Sequence, residues 1–310
     1  MTAAPRKTPQ PAWLDRKERG SLFWLRVMQT LSLTLGRNTM LPIVWGIALY
    51  FLLTSGPVRR AQRIYLARAL GRPPRWRDLY HHVRVFATTI HDRSFLLGGR
   101  EQIFDVRYEG DAALRDAHAA HGGLLLFGAH LGSFEILKCL ARQRPELRVV
   151  TAMYAGNSRQ INQALEAINP EALADVIPLG RLDAMLTVHQ RLEEGALVGI
   201  LADRASGADQ FLRFDFLGAP ADFPTGPFRM AAMLRRPVFF MTGLYRGGLR
   251  YDIVFEPLAD FSAVTPAQRD AEIRAAMQRY VLLLERHCRT APWNWFNFFD
   301  FWESAHADAP

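Results

Sequence analysis

A chain of 310 residues that is 49% hydrophobic has ample apolar content for one large α/β domain or two small ones. Its 38 basic side chains outweigh 30 acidic ones for a formal charge of +8, and only Lys7, Lys17 and Lys138 are lysines; such an arginine excess suits anionic membranes or acidic substrates, and no recognisable nucleic-acid module accompanies it. Cys139 and Cys288 stand far apart without paired spacing, which argues against a disulfide framework and a zinc site.

Residues 1–12 are rich in proline and polar side chains and read as a tail. Arg16, Lys17, Arg19, Arg26 and Arg37 then surround an apolar-periodic stretch through Leu22, Leu25, Met28, Leu31 and Leu35. From Asn38 to Val58 there is no charge at all, a length that approaches the roughly 20 residues of a bilayer-spanning helix. The segment starts too late for a signal peptide. Arginine stands on both flanks, with Arg59, Arg60, Arg63 and Arg68 following, so charge asymmetry sets no orientation. Pro42, Gly46 and Gly56-Pro57 allow an oblique or re-entrant path, with both ends on one anionic face. The expectation is an N-terminal hydrophobic membrane helix, with residues 13–60 forming the membrane-associating part.

Residues 59–101 read as helices broken near Gly71-Arg72-Pro73-Pro74, with His81, His82 and His91 read as structural or exposed side chains rather than ligands. From Ile103 onward strand and helix alternate. Strands are expected at Ile103–Tyr108, Leu124–Ala129, Arg148–Tyr154, Asp175–Leu179 and Leu197–Ala202, and helices near 111–121, 133–143, 158–168 and 182–194. Later come Phe211–Leu217, then Val238–Tyr245 and Leu249–Pro257 as a hairpin through Arg246-Gly247-Gly248, and a closing helix over 266–289. This pattern predicts an α/β fold with a mixed, largely parallel sheet flanked by helices, spanning 61–303 and followed by a short tail at 304–310.

One segment carries chemistry. Gly128-Ala129-His130-Leu131-Gly132-Ser133-Phe134-Glu135 follows a buried-type strand, placing an imidazole at the strand end and a carboxylate about one turn into the next helix. Such a pair makes a base: the carboxylate fixes the imidazole tautomer and stabilises the imidazolium, so His130 can take a proton from a hydroxyl. Gly128 and Gly132 remove bulk beside the ring, and Ser133 is a candidate N-cap. The expected roles are His130 as general base and Glu135 as its orienting acid.

Gly-x-His-x-Gly-x-x-Glu resembles the signature of the lysophospholipid acyltransferase superfamily, and most closely that of the late acyltransferases of lipid A biosynthesis. Further segments match in the same order: the strand 195–202 ending in Asp203-Arg204, Phe214-Asp215-Phe216-Leu217-Gly218-Ala219-Pro220-Ala221, and Pro224-Thr225-Gly226-Pro227. The likeness spans residues 13–303. Two features depart from it. Ser133-Phe134 stand where the family has Asn-Trp, and the C-terminal run 293–302, with seven aromatics in ten residues, holds no basic residue.

The resemblance implies a glycerolipid acyltransferase-like fold and transfer of a fatty acyl group from an acyl-carrier-protein or coenzyme A thioester to a lipid or glycolipid hydroxyl. It implies no cofactor or metal, an acidic carrier protein and membrane lipids as partners, and the cytoplasmic face of an inner membrane. The acceptor is left open among a lipid A precursor, another lipid and a hydrophobic pigment. A catalytically silent lipid-binding relative and an acyl thioesterase are the rival readings. No Gly-x-Ser-x-Gly elbow occurs, which favours direct attack of the acceptor over a serine acyl-enzyme. Candidate substrate-binding residues are Gly132 and Ser133, Arg159 and Arg204 as oxyanion partners, Asp203 as a loop-holding acid, and Thr225-Gly226 as a turn presenting amides to an anion.

Overall fold

The computed structural model describes residues 22–137, 139, 147–154, 176–179, 183–204 and 210–303. The expected tails at 1–12 and 304–310, the helix near 158–168 and Arg159 lie outside the described residues.

Four helices come first: α1 (Leu22–Leu35), α2 (Arg37–Thr54), α3 (Gly56–Leu70) and α4 (Trp76–Leu97). The α/β part follows as β1 (Asp105–Glu109), α5 (Asp111–His121), β2 (Leu124–Gly128), β3 (Val149–Tyr154), β4 (Val176–Leu179), α6 (Ala184–Glu193) and β5 (Leu197–Leu201). It continues with β6 (Phe211–Phe216), β7 (Ala219–Pro224), α7 (Gly226–Leu234), β8 (Pro237–Gly247), β9 (Arg250–Asp260) and α8 (Arg269–Thr290). Seven strands form one sheet in the order β1-β9-β8-β2-β5-β3-β4, and β6-β7 form a separate antiparallel pair. Every neighbouring pair in the large sheet is parallel except β8 with β9, so the expected mixed, largely parallel α/β sheet is what the chain forms.

Strand β2 is buried at all five positions, as a central parallel strand covered on both faces must be. Alternate side chains enter different cores. Leu125 and Phe127 belong to the core that holds Tyr280, Leu284 and Cys288 of α8, whereas Leu124 and Leu126 belong to the one that holds Phe95 of α4 and Leu114 of α5.

The charge-free stretch is not one helix. Among the described residues no single helix is long and apolar enough to cross a membrane; α2 and α3 reach that composition together but bend by 96° at their junction. The break has a local cause. Ser55 is extended and Pro57 occupies the first turn of α3, where a missing N–H costs nothing and the ring presets the helical φ. Helix α2 is fastened to the α/β part by a buried bidentate ion pair, Arg37 to Asp92 of α4 at 2.5 and 2.9 Å, with Tyr251 of β9 donating to the same carboxylate at 2.8 Å. Both charged side chains are almost fully buried. Removing either partner alone would leave a charge without compensation in a low-dielectric core, so the pair ties three elements into one register.

Candidate active site

Two adjacent parallel strands end side by side and deliver the chemistry. β2 pairs with β5 in the register Phe127↔Ile200 and Gly128↔Leu201, so the residues just past each strand, His130 and Asp203, arrive at the same sheet edge. His130 Nδ1 lies 2.8 Å from Asp203 Oδ1, and the His130 backbone N–H donates to Oδ2 at 3.1 Å. The imidazole is 27% exposed while the carboxylate is fully buried, so the ring opens outward from a sealed base.

The charge on Asp203 is met by donors from a distant part of the chain. Trp295 Nε1–H and Asn297 Nδ2–H both donate to Oδ2, at 3.2 and 3.1 Å. Burial alone would push this carboxyl up, but the His130 imidazole beside it, and then Arg204, outweigh burial and hold it well below the usual carboxylate range. An ionised carboxylate only accepts hydrogen bonds, so Nδ1 must carry the ring proton and Nε2 is left with its lone pair. Burial lowers the affinity of His130 for a second proton, Arg204 adds to this, and Asp203 opposes it. A neutral imidazole with a free Nε2 lone pair is the form a general base requires.

The aromatic run supplies the wall. The Trp295 carbonyl accepts from His82 Nε2 at 2.8 Å, and Gln62 Nε2 lies 3.3 Å from His82 Nδ1. Burial lowers His82 to about 4, so it stays neutral and serves as a brace, the structural role expected of it. Phe296 N–H donates to the His130 carbonyl at 2.7 Å, which pins the loop from the other side. Arg204 donates from Nε to Asn297 Oδ1 at 2.6 Å and from Nη2 to the Phe296 carbonyl at 3.1 Å. Asn297 thus bridges Asp203 and Arg204 with its two ends.

Glu135 stands elsewhere than expected. The helix expected near 133–143 opens as a short 3-10 turn, Phe134–Ile136, with Leu137 and Cys139 helical after it. Glu135 Oε1 lies 2.7 Å from Arg93 Nη2 of α4, and Oε2 accepts from the Ser133 hydroxyl at 3.2 Å. The carboxylate that orients the imidazole by hydrogen bonding is therefore Asp203. Glu135 is near enough to act on the ring through space, where it favours the protonated form.

Gly132 has a backbone task. Its φ is +75°, and a Cβ built there would meet the Gly243 carbonyl oxygen at 2.0 Å. That close approach lets Ser133 N–H donate to Gly243 O at 2.8 Å while Gly132 N–H donates to Asn294 O at 2.7 Å. Gly132→Ala should lower stability by more than the roughly 1–3 kcal/mol of a left-handed non-glycine residue alone, read as a clear drop in thermal midpoint. Thr225 and Gly226 share no hydrogen bond with His130 or Asp203 among the described residues. Thr225 is buried at the start of α7 and lines a separate cavity of about 210 Å³ with Gln210, Arg229, Asp270 and Arg274. No lining residue of that cavity is hydrogen-bonded to His130 or Asp203 among the described residues.

Sequence reasoning missed Trp295, Asn297 and Arg93 as site residues. A signal was present for two of them. Buried amides and indoles need partners, and a run as apolar as 293–302 has no reason to include Asn297 unless it hydrogen-bonds.

A search of curated proteins finds no match to the chain. The family model for bacterial lipid A biosynthesis acyltransferase matches residues 97–304, which include His130, Glu135, Asp203, Arg204 and the whole aromatic run. With two-thirds of its length in that match, the chain belongs to the bacterial lipid A biosynthesis acyltransferase family and is an acyltransferase.

Proposed function

We propose that this protein is a membrane-associated O-acyltransferase that moves a fatty acyl group from an acyl-carrier-protein or coenzyme A thioester to a hydroxyl of a lipid or glycolipid. The observation that carries the reading is the His130–Asp203 pair, a half-open imidazole hydrogen-bonded at Nδ1 to a sealed carboxylate. His130 Nε2 takes the proton of the acceptor hydroxyl as its oxygen attacks the thioester carbonyl. The tetrahedral intermediate then collapses with cleavage of the C–S bond. The imidazolium returns its proton to the departing thiolate, so an ester and a free thiol leave the site. Asp203 stabilises the transient imidazolium, and Arg204 supplies positive charge beside the developing oxyanion. No cofactor enters this scheme, because a thioester is already activated. The assay that tests it is acyl transfer from a radiolabelled acyl-carrier-protein or coenzyme A thioester to extracted membrane lipids. Release of free fatty acid without a labelled lipid product would replace transfer by thioester hydrolysis.

Membrane attachment rests on α2. Met40, Leu41, Val44, Ala48 and Leu52 are buried, yet the opposite face is also apolar, with Ile43 and Ile47 51% exposed, Leu53 57% and Tyr50 69%. A helix apolar all round needs a non-aqueous neighbour on its outer side. Arg59, Arg60 and Arg63 follow directly on α3, where they would meet lipid phosphates. We place the catalytic part on the cytoplasmic face of the inner membrane, where an acidic carrier would be steered by the basic surface. Each apolar side chain lost to water costs about 1.5–3 kcal/mol. The triple change Ile43→Ser, Ile47→Ser and Leu53→Ser should therefore shift the protein from the floating to the soluble fraction when mixed with anionic vesicles. Undiminished flotation would remove α2 as the anchor.

A further inference from the structure

The carboxylate of the His-x4-Glu motif has both oxygens committed away from the imidazole, one to Arg93 and one to Ser133. Arg93 follows Asp92 on α4, and Asp92 is held by Arg37 and Tyr251, so the guanidinium is carried on pinned backbone. Its side chain is 16% exposed and that of Glu135 22%, so solvent screens the pair only partly. The Nε of Arg93 is buried with no hydrogen-bond partner among the described residues, so its hold on Glu135 comes through the guanidinium end.

We infer that Arg93 is a positioning residue for acyl transfer: it holds Glu135 beside His130 while offsetting its charge, so that the imidazole remains neutral and able to accept a proton. The inference rests on His130 being the base. The charged groups acting on the ring are Asp203 and Arg204 beyond β5 and Glu135 on the 3-10 turn, and Arg93 on α4 is the ion-pair partner of Glu135. Asp203 and Glu135 favour the imidazolium, whereas Arg204 disfavours it. Without Arg93, Glu135 becomes an unbalanced carboxylate free to swing toward the ring, and both effects favour protonation. Glu135 therefore tunes the base through a counterion, and Arg93 sets the strength of that tuning.

The test is an NMR pH titration of the His130 ring in histidine-labelled full-length protein, the resonance being assigned by its loss in His130→Ala. Arg93→Ala should raise the titration midpoint by about one pH unit, and Arg93→Lys should leave it within about 0.3 units of wild type. Glu135→Gln, which keeps side-chain shape, should lower the midpoint. Arg93→Ala combined with Glu135→Gln should cancel most of the upward shift. The acid limb of kcat/KM should move in step with the Arg93→Ala midpoint, whereas a merely structural defect would lower the whole profile without moving the limb. Midpoints unchanged in both single variants, or an upward shift that persists in the double variant, would overturn the inference. Because the titration needs no substrate, that failure is distinct from failure of the acyl-transfer reading, which a fully active His130→Ala enzyme would reveal.

Discussion

His130→Ala should lower kcat for acyl transfer by about 10²–10⁴-fold, the usual loss when a positioned proton acceptor is removed. Circular dichroism should be unchanged, since the half-open ring contributes little to the core. The wild-type pH profile supplies a second signature. Burial lowers His130, so its base form persists below the ordinary histidine value of about 6.5 and kcat/KM falls only as pH drops through that lowered folded value. Stability follows the same sign. The unfolded chain gains the proton first, so His130 costs stability as pH falls below about 6.5, and His130→Ala removes that part of the acid sensitivity. Asp203 behaves in the opposite sense. Its folded value lies below the unfolded one, so its contribution is complete above about 3.9 and is lost as pH falls through the folded value. Transfer that persists undiminished in His130→Ala would remove the ring from the mechanism.

Asp203→Asn should cost about as much, roughly 10²–10⁴-fold in kcat, although the side chains are nearly isosteric. Asp203 accepts one N–H from the imidazole at Oδ1 and three from His130, Trp295 and Asn297 at Oδ2. An asparagine has one accepting and one donating end. Turning its NH₂ toward the three donors would set N–H against N–H at each of them. The less costly choice turns it toward His130 Nδ1, which then accepts, and the ring proton moves to Nε2. The imidazole is still present but its basic nitrogen faces the wrong way. The outcome to measure is a fall in kcat with little change in KM for either substrate. An Asp203→Asn enzyme as active as wild type would show that tautomer control lies elsewhere.

Strands β2 and β5 were readable because each is a short apolar run ending in turn residues, and they fall where Leu124–Ala129 and Leu197–Ala202 were expected, whereas β7 was not read at all. The order of strands was not. Nothing in a single chain states that β2 and β5 lie side by side, and that adjacency carries Asp203 to His130 across 73 residues. Proximity along the chain favoured Glu135 instead, on the assumption of an α-helix from 133. Phe134 explains why the segment starts as a 3-10 turn before its helical residues at 137 and 139. Its ring packs over Gly199 so closely that a Cβ there would meet Phe134 Cζ at 2.2 Å, which fits a tight 3-10 turn against the sheet. The uncharged stretch breaks at Gly56-Pro57, one of the places where the sequence allowed an oblique or re-entrant path. Hydropathy runs smoothly through Ser55, and only Pro57 marks the new helix start that turns the chain through 96°.

The donors that neutralise Asp203 come from residues 295 and 297, more than 90 positions after the carboxylate itself. While the chain is being synthesised, everything up to α8 can leave the ribosome with that acid still lacking two of its partners. A nascent polypeptide cannot complete the hydrogen bonds of this carboxylate until residues 295–297 have emerged and wrapped back. Premature termination before Trp295 would therefore yield a product with a buried anion only half compensated, a species that cellular proteases are well placed to clear.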